Sequence, residues 1–417
     1  MILFAVFLLC FGSTLCAETV KYAAIIYRHG DRTPIDTYPT DPWRNESLWP
    51  VKFGELTNIG KRQHCALGQW LRRRYSHLLS EQFDPTQIYV RSTDVDRTLM
   101  SAQANLAGLY PPTGNSVWDK DLMWQPIPVH TVPEKDDELL AMKKPCMAFD
   151  KEKEKYIHSK AYKERLIKYQ PLMKYLSAST GLKVKTLYDI DNLYSILYIE
   201  QLYNFTLPNW THSVFPNKMA EPAGYSFTEF TATPLMARLK IGPLLKQILT
   251  NMFSVMSGKK SKDLRVSMYS GHDLTVGSVL NGLGLFDGKC PLYTSTVLME
   301  LIYDNTTQSH FIRISYRNSS DIVEPHVLNI PKCGEKCPVS KFIKIYDNLL
   351  SVNWEYECGK QFPPLLGISF FIGLGLFVII YVAHKMHFAR VSREYGFNAG
   401  YSNIQAVAVT PIKTLEE

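Results

Sequence analysis

Arg28-His29-Gly30-Asp31-Arg32-Thr33-Pro34 sets two guanidinium groups around one imidazole, on a turn that Gly30 tightens and Pro34 ends. Each cation costs several kcal/mol to desolvate unless an anion offsets it. A phosphate does so, because guanidinium forks onto its oxygens in bidentate fashion. The neutral imidazole of His29 can then attack phosphorus, and a covalent phosphohistidine divides one hard hydrolysis into two easier steps. Three short runs rich in Val, Ile and Tyr deliver such groups: residues 20–27 lead into Arg28 and His29, 87–90 into Arg91, and 264–269 into His272 and Asp273. Runs of this kind read as buried strands.

Helical patterns over 56–79, 96–109 and 274–283 follow the three runs. This alternation predicts an α/β fold with a mostly parallel central sheet flanked by helices. Ligands of such sheets sit beyond the carboxyl ends of the strands, so Arg28, His29, Arg91, His272 and Asp273 are expected on one edge. Asp96 and Arg97 are expected to cap and brace the helix that follows. His130 reads equally as a structural hydrogen-bonding residue or a substrate contact, and His64 and His77 as surface or packing residues.

Residues 136–258 carry Lys-, Glu- and Tyr-rich helical segments, and read as a lobe inserted between core segments 20–135 and 259–330. Residues 296–303 and 311–316 alternate as an antiparallel hairpin at the sheet edge. The net charge of +7 is spread along the chain. No basic stripe with interleaved aromatics marks a nucleic-acid binder. Neither a GxSxG elbow nor an HExxH zinc motif occurs, and Gly258-Lys259-Lys260-Ser261 lacks the earlier glycine of a P-loop.

Residues 2–11 are apolar and Thr14 and Cys16 are small, which predicts a signal peptide over 1–16. Residues 365–383 are uncharged and follow Pro363 and Pro364. As a helix they would be about 28 Å long, enough to span the hydrocarbon core. The basic flank of His384, Lys385, Arg390 and Arg393 predicts a cytoplasmic tail over 384–417. A single-pass type I protein with a lumenal body over 17–360 follows. Six cysteines lie in that body, where disulfides persist. Cys333 and Cys337, with no His nearby, read as a short-loop disulfide rather than a zinc pair. Sequons at Asn45, Asn204, Asn209, Asn305 and Asn318 all fall in the same part.

The Arg28 to Pro34 string, with the segments 89–100, 124–133 and 204–208 and the His272-Asp273 pair, closely resembles the histidine acid phosphatases. The animal branch of prostatic, testicular and lysosomal enzymes fits best, over roughly residues 20–358. The resemblance implies a phosphoglycerate-mutase-like fold. It implies that His29 is the nucleophile, that Arg28, Arg32, Arg91 and His272 hold the phosphate, and that Asp273 protonates the leaving alkoxide. Neither metal nor cofactor is implied. Acidic conditions should favour activity, on small phosphate monoesters or phosphoproteins.

The resemblance also implies the bridges Cys146–Cys358 and Cys333–Cys337. A third bridge of the vertebrate enzymes is missing, since Ile199 and Thr296 stand at its two ends. Cys65 and Cys290 are left over and are expected to pair. Tyr401-Ser402-Asn403-Ile404, preceded by Gly400, resembles a lysosomal sorting signal, which implies clathrin-adaptor binding and residence in lysosome, endosome or cell surface. A homodimer is expected by analogy. Other readings are a phosphatase selective for nucleotides, lysophosphatidate or inositol phosphates, and an inactive membrane receptor or adaptor that keeps the fold.

Overall fold

Strand β1 (Glu18–Arg28) is apolar on both faces, and the fold uses both. Tyr22, Ala24 and Ile26 enter one core, and Ala23, Ile25 and Tyr27 another. A strand covered on both sides reads as a continuous apolar run, because its alternation is hidden. The structure, a computed structural model, describes residues 18–258, 263–321, 324–359, 375–387 and 389–390. The expected signal peptide and the Tyr401 to Ile404 motif lie outside these residues.

Helix α1 (Asn58–Arg74), strand β2 (Ile88–Ser92) and helix α2 (Asp96–Leu109) follow. The two helices pack closely: a Cβ on Gly68 would sit 1.9 Å from the Asn105 carbonyl, and one on Gly108 would sit 2.0 Å from that of Cys65. Next come α3 (Met147–Ile157), α4 (Lys160–Thr180), α5 (Leu187–Leu202), α6 (Asn217–Glu229) and α7 (Pro234–Met256). The chain returns to the sheet with β3 (Val266–Gly271), α8 (Asp273–Gly282), β4 (Thr296–Asp304), β5 (Ser309–Arg317), β6 (His326–Val327) and β7 (Cys337–Pro338).

The sheet runs β2-β3-β1-β4-β5-β6, with β7 also on β5. Only β2, β3 and β1 are parallel to one another. Strands β4, β5, β6 and β7 pair antiparallel, so the sheet is mixed rather than mostly parallel. The hairpin read from alternation is present, but it docks directly on β1 and shifts that strand to the interior. Long-range pairing of this kind leaves no local sequence signal.

Helix α7 also departs from expectation. Ala237, Ile241, Leu244 and Leu245 pack in one core with Tyr22, Tyr269 and Val297, so α7 flanks the sheet instead of belonging to the lobe. The lobe has its own core, built from Tyr169, Met173 and Leu176 of α4, Leu187, Ile190 and Leu193 of α5, and Tyr38 from the loop after Pro34. That loop is tied down by a buried carboxyl pair. Glu200 of α5 is fully buried, and burial followed by the neighbouring Asp41 pushes its carboxyl up to about 9. It therefore keeps its proton and donates it to the Asp41 carboxylate, whose Oδ1 accepts from Trp43 N–H at 2.7 Å.

Disulfides Cys146–Cys358 and Cys333–Cys337 are formed. Cys65 and Cys290 remain free, contrary to expectation. Cys65 sits on α1 at the α2 contact, whereas the Cys290 thiol points to Asp191 Oδ1 at 3.9 Å. Asn45, Asn204, Asn209 and Asn305 are exposed and Asn318 is half-buried. The chain divides into two units, residues 1–359 and 360–417. Within the second, residues 375–387 are helical and exposed, and most of the remainder of the 365–383 segment lies outside the described residues. Among the described residues, no helix is long and apolar enough to cross a membrane.

Candidate active site

Parallel register builds the site. Arg28 lies opposite Gly271, and Ser92 opposite Ser270, so β1, β2 and β3 end level with one another. The next residues, His29, Thr93 and His272, meet there. His29 N–H donates to the Gly271 carbonyl at 3.0 Å, and Thr93 N–H to that of Ser270 at 3.1 Å. Gly30 is required by close approach: a Cβ there would sit 2.5 Å from the Gly60 carbonyl at the start of α1. Asp31, inside the motif, faces away from the chemistry, and its Oδ2 accepts from Thr57 and, at 2.7 Å, from the Tyr203 hydroxyl.

His29 is buried, and its Nδ1 lies 2.8 Å from the Gly30 carbonyl. A carbonyl can only accept, so Nδ1 carries the proton and Nε2 the lone pair. Burial, and then Arg28, Arg97, Arg32 and His272, hold the imidazole well below its ordinary value. The ring therefore stays neutral, and nucleophilic, in acid. His272 lies with its ring 5.7 Å from that of His29, and its Nε2 is 3.0 Å from Thr93 Oγ1. Burial and Arg97 lower it to about 3.

Arg28 spans two anchors, with Nη1 donating to the Pro291 carbonyl and Nη2 paired with Asp273 at 2.8 Å. Its guanidinium lies over the Tyr293 ring at 4.5 Å, and His64 from α1 contacts its backbone carbonyl at 3.2 Å. His64 is thus a buried packing residue, whereas His77 is exposed. Asp273 opens α8, where its Oδ1 accepts from Leu274 N–H. Burial alone would raise this carboxyl, but Arg28, Arg32 and His272 outweigh it and leave it below its ordinary value.

Arg91 is not in this group. Its guanidinium pairs with Asp137 at 2.7 Å, and Asp137 also accepts from the N–H groups of Leu139, Leu140 and Ala141. Arg91 therefore braces a loop that forms part of the cavity wall. The backbone of His130 bridges to β2 beside it, and the His130 ring stacks on Tyr89 at 5.1 Å, which is a structural role. Arg97 takes the position expected of Arg91. It lines the cavity with Arg28, His29, Arg32, His272 and Asp273, and burial and then Arg32 lower it to about 10. One sequence signal pointed there: a cation in the first turn of a helix opposes the macrodipole, and is out of place unless an anion joins it.

These residues form one end of a cavity of about 1550 Å³, which extends beneath Leu166, Tyr188, Asp191 and Phe227 of the helices α4 to α6. Small-molecule sites typically occupy about 300–1,000 Å³. The space beyond the cationic end thus accommodates an organic group much larger than phosphate. Among the described residues, no cluster of His, Cys, Asp and Glu is arranged to hold a metal ion.

A mixed sheet with an anion-binding edge and an inserted lobe is shared with solved phytases. The Hafnia alvei phytase in complex with tartrate superposes with a TM-score of 0.60 at 18% identity, over 80% of this chain and 98% of that one. At that identity the likeness concerns the fold alone. The model of the histidine phosphatase superfamily (branch 2) matches residues 19–317. Prostatic acid phosphatase of Mus musculus is 40% identical over 347 residues, which cover 82% of this chain and 90% of that protein. Lysosomal acid phosphatase of Xenopus laevis is 37% identical over 376 residues, with 88% and 86% covered. The chain belongs to branch 2 of the histidine phosphatase superfamily, as the resemblance read from the sequence implied.

Proposed function

We propose that this chain is an acid phosphatase that hydrolyses phosphate monoesters through a phosphohistidine on His29. Its relatives of known name are prostatic and lysosomal acid phosphatases. The observation that carries the reading is a neutral His29, its Nδ1 proton fixed on Gly30, set among three arginines. Arg28, Arg32, Arg97 and His272 hold the phosphate oxygens and offset charge as His29 Nε2 attacks in line. Asp273 stands beside the departing oxygen as its acid, and then as the base for water. The neutral imidazole suits acid operation, because an ordinary histidine would be charged there and could not attack. Acid-quench of the purified body during turnover should trap a phosphoenzyme that His29→Ala abolishes. A variant that still accumulates it would refute the assignment.

The intact set of cationic groups argues against an inactive receptor or adaptor. Substrates are small phosphate monoesters or phosphoproteins, and the large cavity supports esters with an extended alcohol. The exposed cluster of Val117, Trp118, Leu122, Met123 and Trp124 supports a homodimer. A lysosomal or endosomal single-pass type I protein, or one at the cell surface, is supported by the apolar 365–383 segment, the basic flank and the sequons. Tyr401→Ala should move the steady-state distribution toward the cell surface; an unchanged distribution rejects adaptor binding through that tail.

A further inference from the structure

Asp191 is a carboxyl without an obvious structural purpose. Helix α5 is already capped by the reciprocal pair of Thr186 and Asp189. Asp191, one turn further on, instead lines the same cavity as His29 and Asp273. The groups that face it come from every element around it. Arg28 lies on β1, Asp273 on α8, Cys290 in the loop after α8, Ser226 on α6, and Tyr194 on α5 itself. Of these only Arg28 is a cation, and Arg28 is held by Asp273 at 2.8 Å and by the Pro291 carbonyl. Pro291 follows Cys290, whose thiol reaches Asp191 Oδ1. The two carboxyls thus lie about one guanidinium, and only one of them has it as an ion-pair partner.

That asymmetry divides the labour between them. An acid must hold a proton before the leaving oxygen needs it, but Asp273 sits in an ion pair that favours its charged form. We propose that Asp191 stores the proton that Asp273 passes to the leaving oxygen, which makes Asp191 a positioning residue for the phosphoryl transfer proposed above. As His29 Nε2 bonds to phosphorus, the phosphorus–oxygen bond to the alcohol breaks. The departing oxygen takes a proton from Asp273, which takes one from Asp191. In the second step water bonds to phosphorus, and the phosphorus–nitrogen bond returns its electron pair to Nε2. The proton lost by water passes to Asp273 and on to Asp191. Burial, and then the Asp273 carboxylate, raise the Asp191 carboxyl to about 8, while Asp273 lies below its ordinary value. Two acids pushed apart in this way are a signature of divided acid and base roles.

The test uses leaving groups of different basicity, with Asp191→Asn and Asp191→Glu in the whole lumenal body. Glycerol 2-phosphate needs its alkoxide protonated, whereas p-nitrophenyl phosphate releases a stable phenolate. Asp191→Asn should lower kcat/KM for glycerol 2-phosphate by about 10²-fold, the usual worth of positioned proton transfer. For p-nitrophenyl phosphate it should change kcat/KM by less than about threefold, because little of that worth is needed there. The alkaline limb of kcat/KM for glycerol 2-phosphate, near about 8 in the parent, should move to lower pH. Asp191→Glu, which keeps the carboxyl, should recover most of the loss. Equal losses on both substrates, or none on either, overturn the proposal. Acid-quench labelling from p-nitrophenyl phosphate separates the two levels: label on the parent with no leaving-group effect rejects Asp191 alone, and no label on the parent rejects the phosphohistidine as well.

Discussion

At the scale of single residues, two arginines exchange the places their sequence suggests. Arg91 ends a strand at the ligand edge, yet it is spent on Asp137, a fully buried carboxylate. Arg97 stands in the first turn of α2, where a brace was expected, and faces the cavity instead. Loss of Arg97 should therefore act on chemistry and loss of Arg91 on stability. Arg97→Ala should lower kcat by about 10²-fold or more, by analogy with removal of one oxyanion donor. Arg91→Ala should leave kcat far less changed but cost about 3–5 kcal/mol of stability, because it leaves Asp137 buried without its cation. Steady-state kinetics and urea unfolding of both variants check this pair. His29, Arg28, Arg32, His272 and Asp273 were legible because strand ends fix where they emerge. Side-chain direction at Arg91 and Arg97 is set by tertiary partners, and sequence spacing does not carry it.

At the scale of elements, the strands and their following helices were legible from periodicity, as β1, β2, β3 and α2 demonstrate. Pairing was not, since nothing local in residues 296–317 specifies that this hairpin docks on β1. Cys65 and Cys290 were matched by elimination, which ignores where α1 and the loop after α8 lie. The Asp41–Glu200 link between the loop after Pro34 and α5 was invisible for the same reason. Its pH behaviour follows from linkage. The folded value of Glu200, about 9, lies above its ordinary 4.5, so the folded state holds more protons between those limits. Stability is present in full at acid pH and declines as pH rises through that window. Urea midpoints measured from about pH 5 to about pH 8 should fall for the parent, and Glu200→Gln should flatten the fall. An equally steep fall in Glu200→Gln would remove this pair as its source.

For the whole molecule, the bond between Cys146 and Cys358 joins the start of α3 to a segment 212 residues later, near the end of the first unit. A crosslink over so long a loop acts mainly by restricting the unfolded chain. Replacing both cysteines by serine should lower the unfolding free energy by about 2–5 kcal/mol, read from denaturant midpoints. An unchanged midpoint would count against that role. Alkylation of the native protein followed by peptide mapping should label Cys65 and Cys290 alone among the six cysteines of residues 18–359.

The groups that grip the anion come from β1, α2, α8 and the turns beside them, whereas the ceiling over the alcohol comes from α4 to α6. These helices enter and leave the chain between β2 and β3, as a cassette between two stretches that never change their reaction. Grafting the cassette from one family member onto another should carry the preference for alcohols with it. If Asp191 serves as described, the graft also carries the tolerance for poor leaving groups, so the choice of substrate and the difficulty of substrate it can manage are inherited together.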